Sequence, residues 1–243
     1  MKNERIRLVV DAGNTQVKLV YFQNDEIFHQ SRFDAVDLDG IEKYISKNHY
    51  SKALLSSVQS DQATELLMDM IDPDILLTQQ TQIPISLEEY ETIETLGTDR
   101  IANVVAASSM SETEQALVID IGTCIKYDLV VKGRYQGGGI APGMNMRFKA
   151  LHEYTGQLPL LDFEEETPLI GKSTKGSMLS GVINGMIAEI NGIVEHYTQQ
   201  FQPLTIFLTG GDAKRFDKAL KNSIFAEENL TVTGLYLILK HND

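Results

Sequence analysis

The chain has 243 residues, enough for one large domain or two small ones, and its 42% hydrophobic and 23% charged residues are ordinary for a globular protein. A formal net charge of −13 argues against wrapping nucleic acid or lying on an anionic membrane. The one cysteine, Cys124, excludes an intrachain disulfide; with no signal-peptide pattern and no apolar run expected to reach membrane-spanning length, a cytoplasmic location is expected.

From the N-terminus, Leu8 to Asp11 reads as a buried strand, followed by the turn Gly13-Asn14-Thr15 and a second apolar segment from Val17 to Val20. Ala53 to Val58 reads as a strand, Gln62 to Ile71 as a helix, and Asp72-Pro73-Asp74 punctuates before a short strand at Ile75 to Thr78. Ile101, Val104, Val105 and Ser108 recur at helical spacing, so Thr98 to Met110 is expected to be a helix. After a polar break at Ser111 to Gln115, Leu117-Val118-Ile119-Asp120-Ile121-Gly122-Thr123 echoes the opening motif, 109 residues on from Asp11 to Asp120. Strands are expected at 117–131 and 135–140, helices near 145–153 and 173–200, a strand at 204–209 and a closing helical region. That is far too long a period for a solenoid. It fits two α/β lobes, 1–112 and 113–243, with a cleft between them.

The repeated loops suggest phosphate chemistry. Glycine at a strand end lets backbone donors approach an anion closely, while Asp11 can hold magnesium through water and Lys18 can reach a phosphate as a point charge. One Asp-x-Gly hairpin is usually only a favoured turn; two, with the further turn Thr209-Gly210-Gly211 after an apolar strand, point to a nucleotide. Gly97-Thr98-Asp99-Arg100 opens the helix at 98–110. Asp99 there is either a helix-dipole partner or a positioned proton acceptor beside Arg100, where an anionic alcohol could dock.

Two resemblances fail on inspection. Gly171-Lys172-Ser173-Thr174 lacks the earlier glycine of a P-loop, where Glu166 stands. Asp37-Leu38-Asp39-Gly40 would require Ala35 and Ser46 as calcium ligands. Glycines 181, 185 and 192 share a helix face with Ala188, each glycine costing up to about 1 kcal/mol of helix propensity, so close packing is expected there, against the chain's own sheet or a partner helix.

Together these loops resemble the actin, Hsp70 and sugar-kinase superfamily, and most closely the type III pantothenate kinases. The resemblance runs from Asp11-Ala12-Gly13-Asn14-Thr15-Gln16-Val17-Lys18 through Gly97-Thr98-Asp99-Arg100 and Asp120-Ile121-Gly122-Thr123. It continues in Gly138-Gly139-Ile140-Ala141-Pro142-Gly143, Leu158-Pro159, Gly171-Lys172-Ser173-Thr174 and Thr209-Gly210-Gly211. It implies an α/β fold of two ribonuclease-H-like, actin-like ATPase lobes with a nucleotide cleft between them. It also implies ATP-dependent phosphorylation of pantothenate to 4′-phosphopantothenate, the first step of coenzyme A synthesis.

By that resemblance Asp99 is the general base, and Tyr90, Gly97, Thr98, Arg100 and Thr174 hold pantothenate. Asp11, Gly13, Asn14, Thr15, Lys18, Gly122, Thr123, Gly210 and Gly211 hold ATP. Asp11 serves magnesium, Asp120 binds a monovalent cation, potassium or ammonium, and the protein is a homodimer; the net charge of −13 adds the expectation of no nucleic-acid or membrane partner. Two positions depart from the family pattern: Lys126 replaces a usual threonine near the nucleotide or cation site, and Ile93 a usual proline after Tyr90. The alternatives are a kinase for another small hydroxylated substrate, or a non-catalytic nucleotide-binding accessory regulator on the same scaffold.

Overall fold

The computed structural model describes residues 6–220 and 224–243, and they divide into two compact units. The first comprises residues up to Ser109 together with Asn229–Asp243; the second runs from Met110 to Glu228.

In the first unit, β1 (Arg7–Ala12) pairs antiparallel with β2 (Gln16–Gln23), which pairs with β3 (Glu26–Asp34). On its other side β1 runs parallel to β4 (Lys52–Ser57), and β4 to the short β5 (Ile75–Leu76), giving the order β3-β2-β1-β4-β5. The β2–β3 turn places Asn24 and Asp25 at φ 54° and 69°; left-handed backbone at both positions matches the twist of paired strands. Helix α1 (Leu38–Ile45) starts where the Asp37 carboxylate accepts from Gly40 N at 3.1 Å, so the rejected calcium motif is a helix cap. Helix α2 (Asp61–Ile71) is capped by Ser60 and stops at Asp72, which takes a left-handed φ of 46°. Helix α3 (Thr98–Met110) follows. Buried Leu8, Val10, Leu19, Tyr21, Ile41, Leu55, Leu67 and Ile71 form the core.

The second unit repeats this arrangement strand for strand. β6 (Gln115–Ile121) pairs antiparallel with β7 (Cys124–Val131), β7 with β8 (Arg134–Pro142), and β6 lies parallel to β9 (Thr205–Thr209), itself parallel to β10 (Phe225–Ala226). The order β10-β9-β6-β7-β8 is that of the first sheet. Even the second hairpin turn recurs, with Lys132 and Gly133 at φ 52° and 68°. The sequence echo at Asp11 and Asp120 is therefore the visible part of a duplicated sheet.

Between β8 and β9 lie α4 (Met144–Glu153), α5 (Thr174–Leu179), a π-helical turn at Ser180–Asn184 and α6 (Gly185–Gln200); α7 (Ala213–Phe216) follows β9. Among the described residues the run Thr174–Gln200 is long and apolar enough to cross a membrane by length and composition, against the expectation from sequence. Its Leu179, Val182, Ile183, Met186, Ile190 and Val194 pack into the core of this unit.

Two further expectations change. Residues 229–243, assigned by sequence to the second lobe, belong to the first unit: α8 (Leu230–His241) contacts β1 and β4 and buries Leu235, Ile238 and Leu239. Tyr236 stacks on Phe22 with ring centroids 4.0 Å apart, and Gly234 brings the helix backbone onto Ala102 of α3, where a Cβ would collide with the Ala102 backbone. Nor does the glycine face of α5–α6 press on its own sheet. A Cβ built at Gly181, Gly185 or Gly192 meets nothing within 4 Å.

Candidate active site

In the first unit the strand ends supply the chemistry. Asp11 lies in β1 directly beside Ser56 of β4, whose hydroxyl bonds Thr98 Oγ1 at 2.9 Å. Thr98 begins α3, so Asp11 and Asp99 rise from adjoining elements of one unit. The loop after Asp11 is pinned by Gly13 N to Gln16 O at 2.9 Å and by Gln59 Nε2 to Gly13 O at 2.7 Å, leaving Asn14 and Thr15 exposed. Lys18, opposite Asp11 in the hairpin, donates to Asn229 Oδ1 at 2.7 Å.

Asp99 folds back at the start of α3, where its Oδ1 accepts from Arg100 N at 2.8 Å. Gly97 makes room for this: a Cβ there would stand 2.6 Å from Asp99 Oδ1. Arg100 is 5% exposed, and its guanidinium lies 5.8 Å from the Tyr90 ring centroid with Nη1 3.5 Å from Tyr90 Oη. A carboxylate, a buried cation and an aromatic ring thus gather at the start of α3, a combination able to orient an anionic alcohol.

In the second unit Asp120, Gly122, Thr123, Gly210 and Gly211 gather around the ends of β6 and β9. Gly210, at φ 99°, sits against Asp120: a Cβ on it would lie 2.5 Å from Asp120 Oδ1 and 2.6 Å from Ile121 N. Asp212 N donates to Ile121 O at 2.9 Å, locking the two strand ends. Burial pushes the Asp212 carboxyl above the ordinary aspartate range, opposed by Arg215, whose Nη1 donates to it at 2.6 Å. Gly143 N donates to Thr123 O at 3.1 Å. Thr174 stands apart from this cluster, on a cavity of about 950 Å³ lined also by Arg147, Leu151, Tyr154, Ser177 and Val182.

No group of three or more metal-binding side chains exists among the described residues. Magnesium fits nonetheless, because it asks for one or two carboxylates and completes its shell with phosphate and water; half-buried Asp11 beside an open loop offers that. A monovalent cation at Asp120 does not fit. Lys126 Nζ already donates to Asp120 Oδ2 at 2.9 Å.

Sequence reasoning missed Ser56, Gln59 and Asn229. Each is a common polar residue with no local motif, and Asn229 reaches Lys18 across 211 positions of chain.

Two mixed five-stranded sheets of identical order, each with an acidic strand-end loop, define the class: an actin-like ATPase and sugar-kinase fold. A family model described as Type III pantothenate kinase matches residues 7–196. The chain is 41% identical over 241 residues to a type III pantothenate kinase of Christiangramia forsetii, covering 98% of this chain and 99% of the relative. It is 38% identical over 245 residues to one of Phocaeicola vulgatus, with the same coverage. Among solved structures it is similar to a Campylobacter jejuni protein described as a Baf family transcriptional activator (TM-score 0.66, 20% identity, 97% and 98% of the two chains). It is also similar to the inorganic polyphosphate/ATP-glucomannokinase of Arthrobacter sp. strain KM (TM-score 0.56, 11% identity, 98% and 100%). The chain belongs to the type III pantothenate kinase family.

Proposed function

We propose that the protein transfers the γ-phosphate of ATP to the primary hydroxyl of pantothenate, giving 4′-phosphopantothenate in the first step of coenzyme A synthesis. Family membership over nearly the whole chain supports the reaction, and the Asp99, Arg100 and Tyr90 cluster is the observation that carries the substrate.

Arg100 pairs with the pantothenate carboxylate. Its guanidinium is buried and held over Tyr90, so it meets the substrate at small entropic cost. Asp99 accepts the hydroxyl proton. Phosphoryl transfer through a loose transition state asks mainly that this acceptor be positioned, and the Arg100 N–H bond fixes it. Gly97, Thr98 and Thr174 complete the pantothenate contacts. Asp11, Gly13, Asn14, Thr15, Lys18, Gly122, Thr123, Gly210 and Gly211 engage ATP. Asp11 would hold magnesium, which when bound would supply positive charge to the phosphates.

Among the described residues a Cβ on Gly181, Gly185 or Gly192 would meet nothing within 4 Å, and Leu169 and Ile170 nearby are exposed; a second copy packed there makes a homodimer. The net charge of −13 supports a protein without nucleic-acid or membrane partners, acting in the cytoplasm.

Purified protein with ATP, magnesium and pantothenate should yield ADP and phosphopantothenate. Asp99→Asn should lose most turnover while keeping its melting temperature. Arg100→Ala should raise KM for pantothenate about ten- to a hundredfold, the weight of a charge-assisted contact. Turnover of a sugar in place of pantothenate, or full activity in Asp99→Asn, would refute these assignments.

A further inference from the structure

The two hairpins set one lysine opposite one aspartate each: Asp11 faces Lys18, and Asp120 faces Lys126. Residues directly opposite in an antiparallel pair bring their Cβ atoms to about 5 Å, within easy reach of a four-carbon stem. In the first copy Lys18 Nζ donates to Asn229 Oδ1 at 2.7 Å; in the second Lys126 Nζ donates to Asp120 Oδ2 at 2.9 Å.

The second pair is largely withdrawn from water, with side-chain exposures of 20% for Lys126 and 13% for Asp120. Its other oxygen, Oδ1, lies close to Gly210, where a Cβ would stand 2.5 Å from it. A carboxylate so placed requires a compensating positive charge. An ammonium carried on the opposing strand supplies it without a binding equilibrium, and a second small cation brought to Oδ2 would meet like-charge repulsion at close range.

We infer that Lys126 is a tethered monovalent cation, which neutralises Asp120 beside the Gly122-Thr123 loop and frees the enzyme from any need for potassium or ammonium. The inference rests on the pantothenate kinase reading for its catalytic readout, and on the hairpin geometry alone for its binding readout.

The test compares choline chloride with potassium chloride at equal ionic strength. Wild-type turnover should agree within about twofold between the two salts, and its melting temperature should be the same in both. Lys126→Thr leaves Asp120 without its ammonium; it should turn over at least about tenfold more slowly in choline chloride and recover in potassium or ammonium chloride. Its melting temperature should be higher in potassium than in choline chloride. Wild-type activity that rises tenfold or more with potassium overturns the inference and leaves the kinase assignment standing. A Lys126→Thr protein indifferent to potassium in both rate and melting temperature also overturns it. Absence of pantothenate turnover by wild type in every salt refutes the functional reading instead, and the melting comparison then decides on the tethered charge. Should Lys126→Thr fail to fold, the wild-type salt comparison still decides.

Discussion

Gly97 and Asp99 are matched to each other: a methyl on residue 97 would stand 2.6 Å from Asp99 Oδ1. Gly97→Ala should therefore push the carboxylate off its bond to Arg100 N and misplace it. A displacement of about 1 Å at a catalytic group can cost about a hundredfold in rate. Steady-state kinetics should show kcat falling by roughly that factor with little change in melting temperature; an unchanged kcat would mean that Asp99 does not need this pose.

Gly210 occupies a backbone region that other residues enter only under strain, and it also lies against Asp120. Gly210→Ala adds the strain of φ 99° to a collision with Asp120 Oδ1, a penalty of roughly 1–3 kcal/mol. At about 2–4 °C per kcal/mol for a chain of this size, thermal unfolding should register it directly, and isothermal titration should find weaker ATP binding. A stable variant with intact ATP affinity would remove Gly210 from the proposed nucleotide loop.

The attachment of α8 depends on pH. Asp25 is held below the ordinary aspartate range by hydrogen bonds from Tyr236 and Lys240. For Asp243, burial pushes upward but is outweighed by Lys52 and Arg7, so its carboxyl also titrates low. Both folded-state values lie below the unfolded ones, so their contribution is complete above the ordinary aspartate range and disappears as pH falls through the folded values. Hydrogen-exchange protection factors over residues 230–241, referred to the intrinsic rate at each pH, should fall on acidification below about pH 4 before those of the second unit. Asp243→Asn should show faster exchange there already at neutral pH.

The open glycine face gives a fourth expectation. Gly185→Leu puts a large side chain where the chain itself leaves space, and it raises helix propensity by up to about 1 kcal/mol. Light scattering should report a monomer while the melting temperature of dilute protein holds or rises. A dimer that tolerates leucine at that position would place the subunit contact elsewhere.

Much of this architecture could be read from the residues, for a physical reason. The β1–β2 and β6–β7 hairpins have buried apolar runs joined by Asp-x-Gly turns, a local signal that needs no knowledge of distant chain. β3 escaped notice because Glu26–Asp34 lies mostly in solvent and alternates weakly. α1 was hidden by Gly40 inside an eight-residue helix, where capping by Asp37 rather than propensity sets the start. The loops that carry Asp11, Asp99 and Asp120 were legible as strand ends and a helix start. The bond from Lys126 to Asp120 was not: the sequence showed an added charge nearby, and only strand register says which carboxylate it meets. The home of α8 was equally hidden, since Leu230–His241 is apolar enough to satisfy either core and carries no mark of which sheet it covers.

That last helix has a bearing on how the protein is made. Synthesis delivers β1 and β4 early, yet the residues that shelter them at Leu235, Ile238 and Leu239 emerge only after the entire second sheet has been translated. Until then the nascent first unit carries a bare hydrophobic flank, the kind of surface on which chaperones act. Lengthening or pausing translation between 110 and 228 should thus prolong the period in which the growing chain is prone to aggregate.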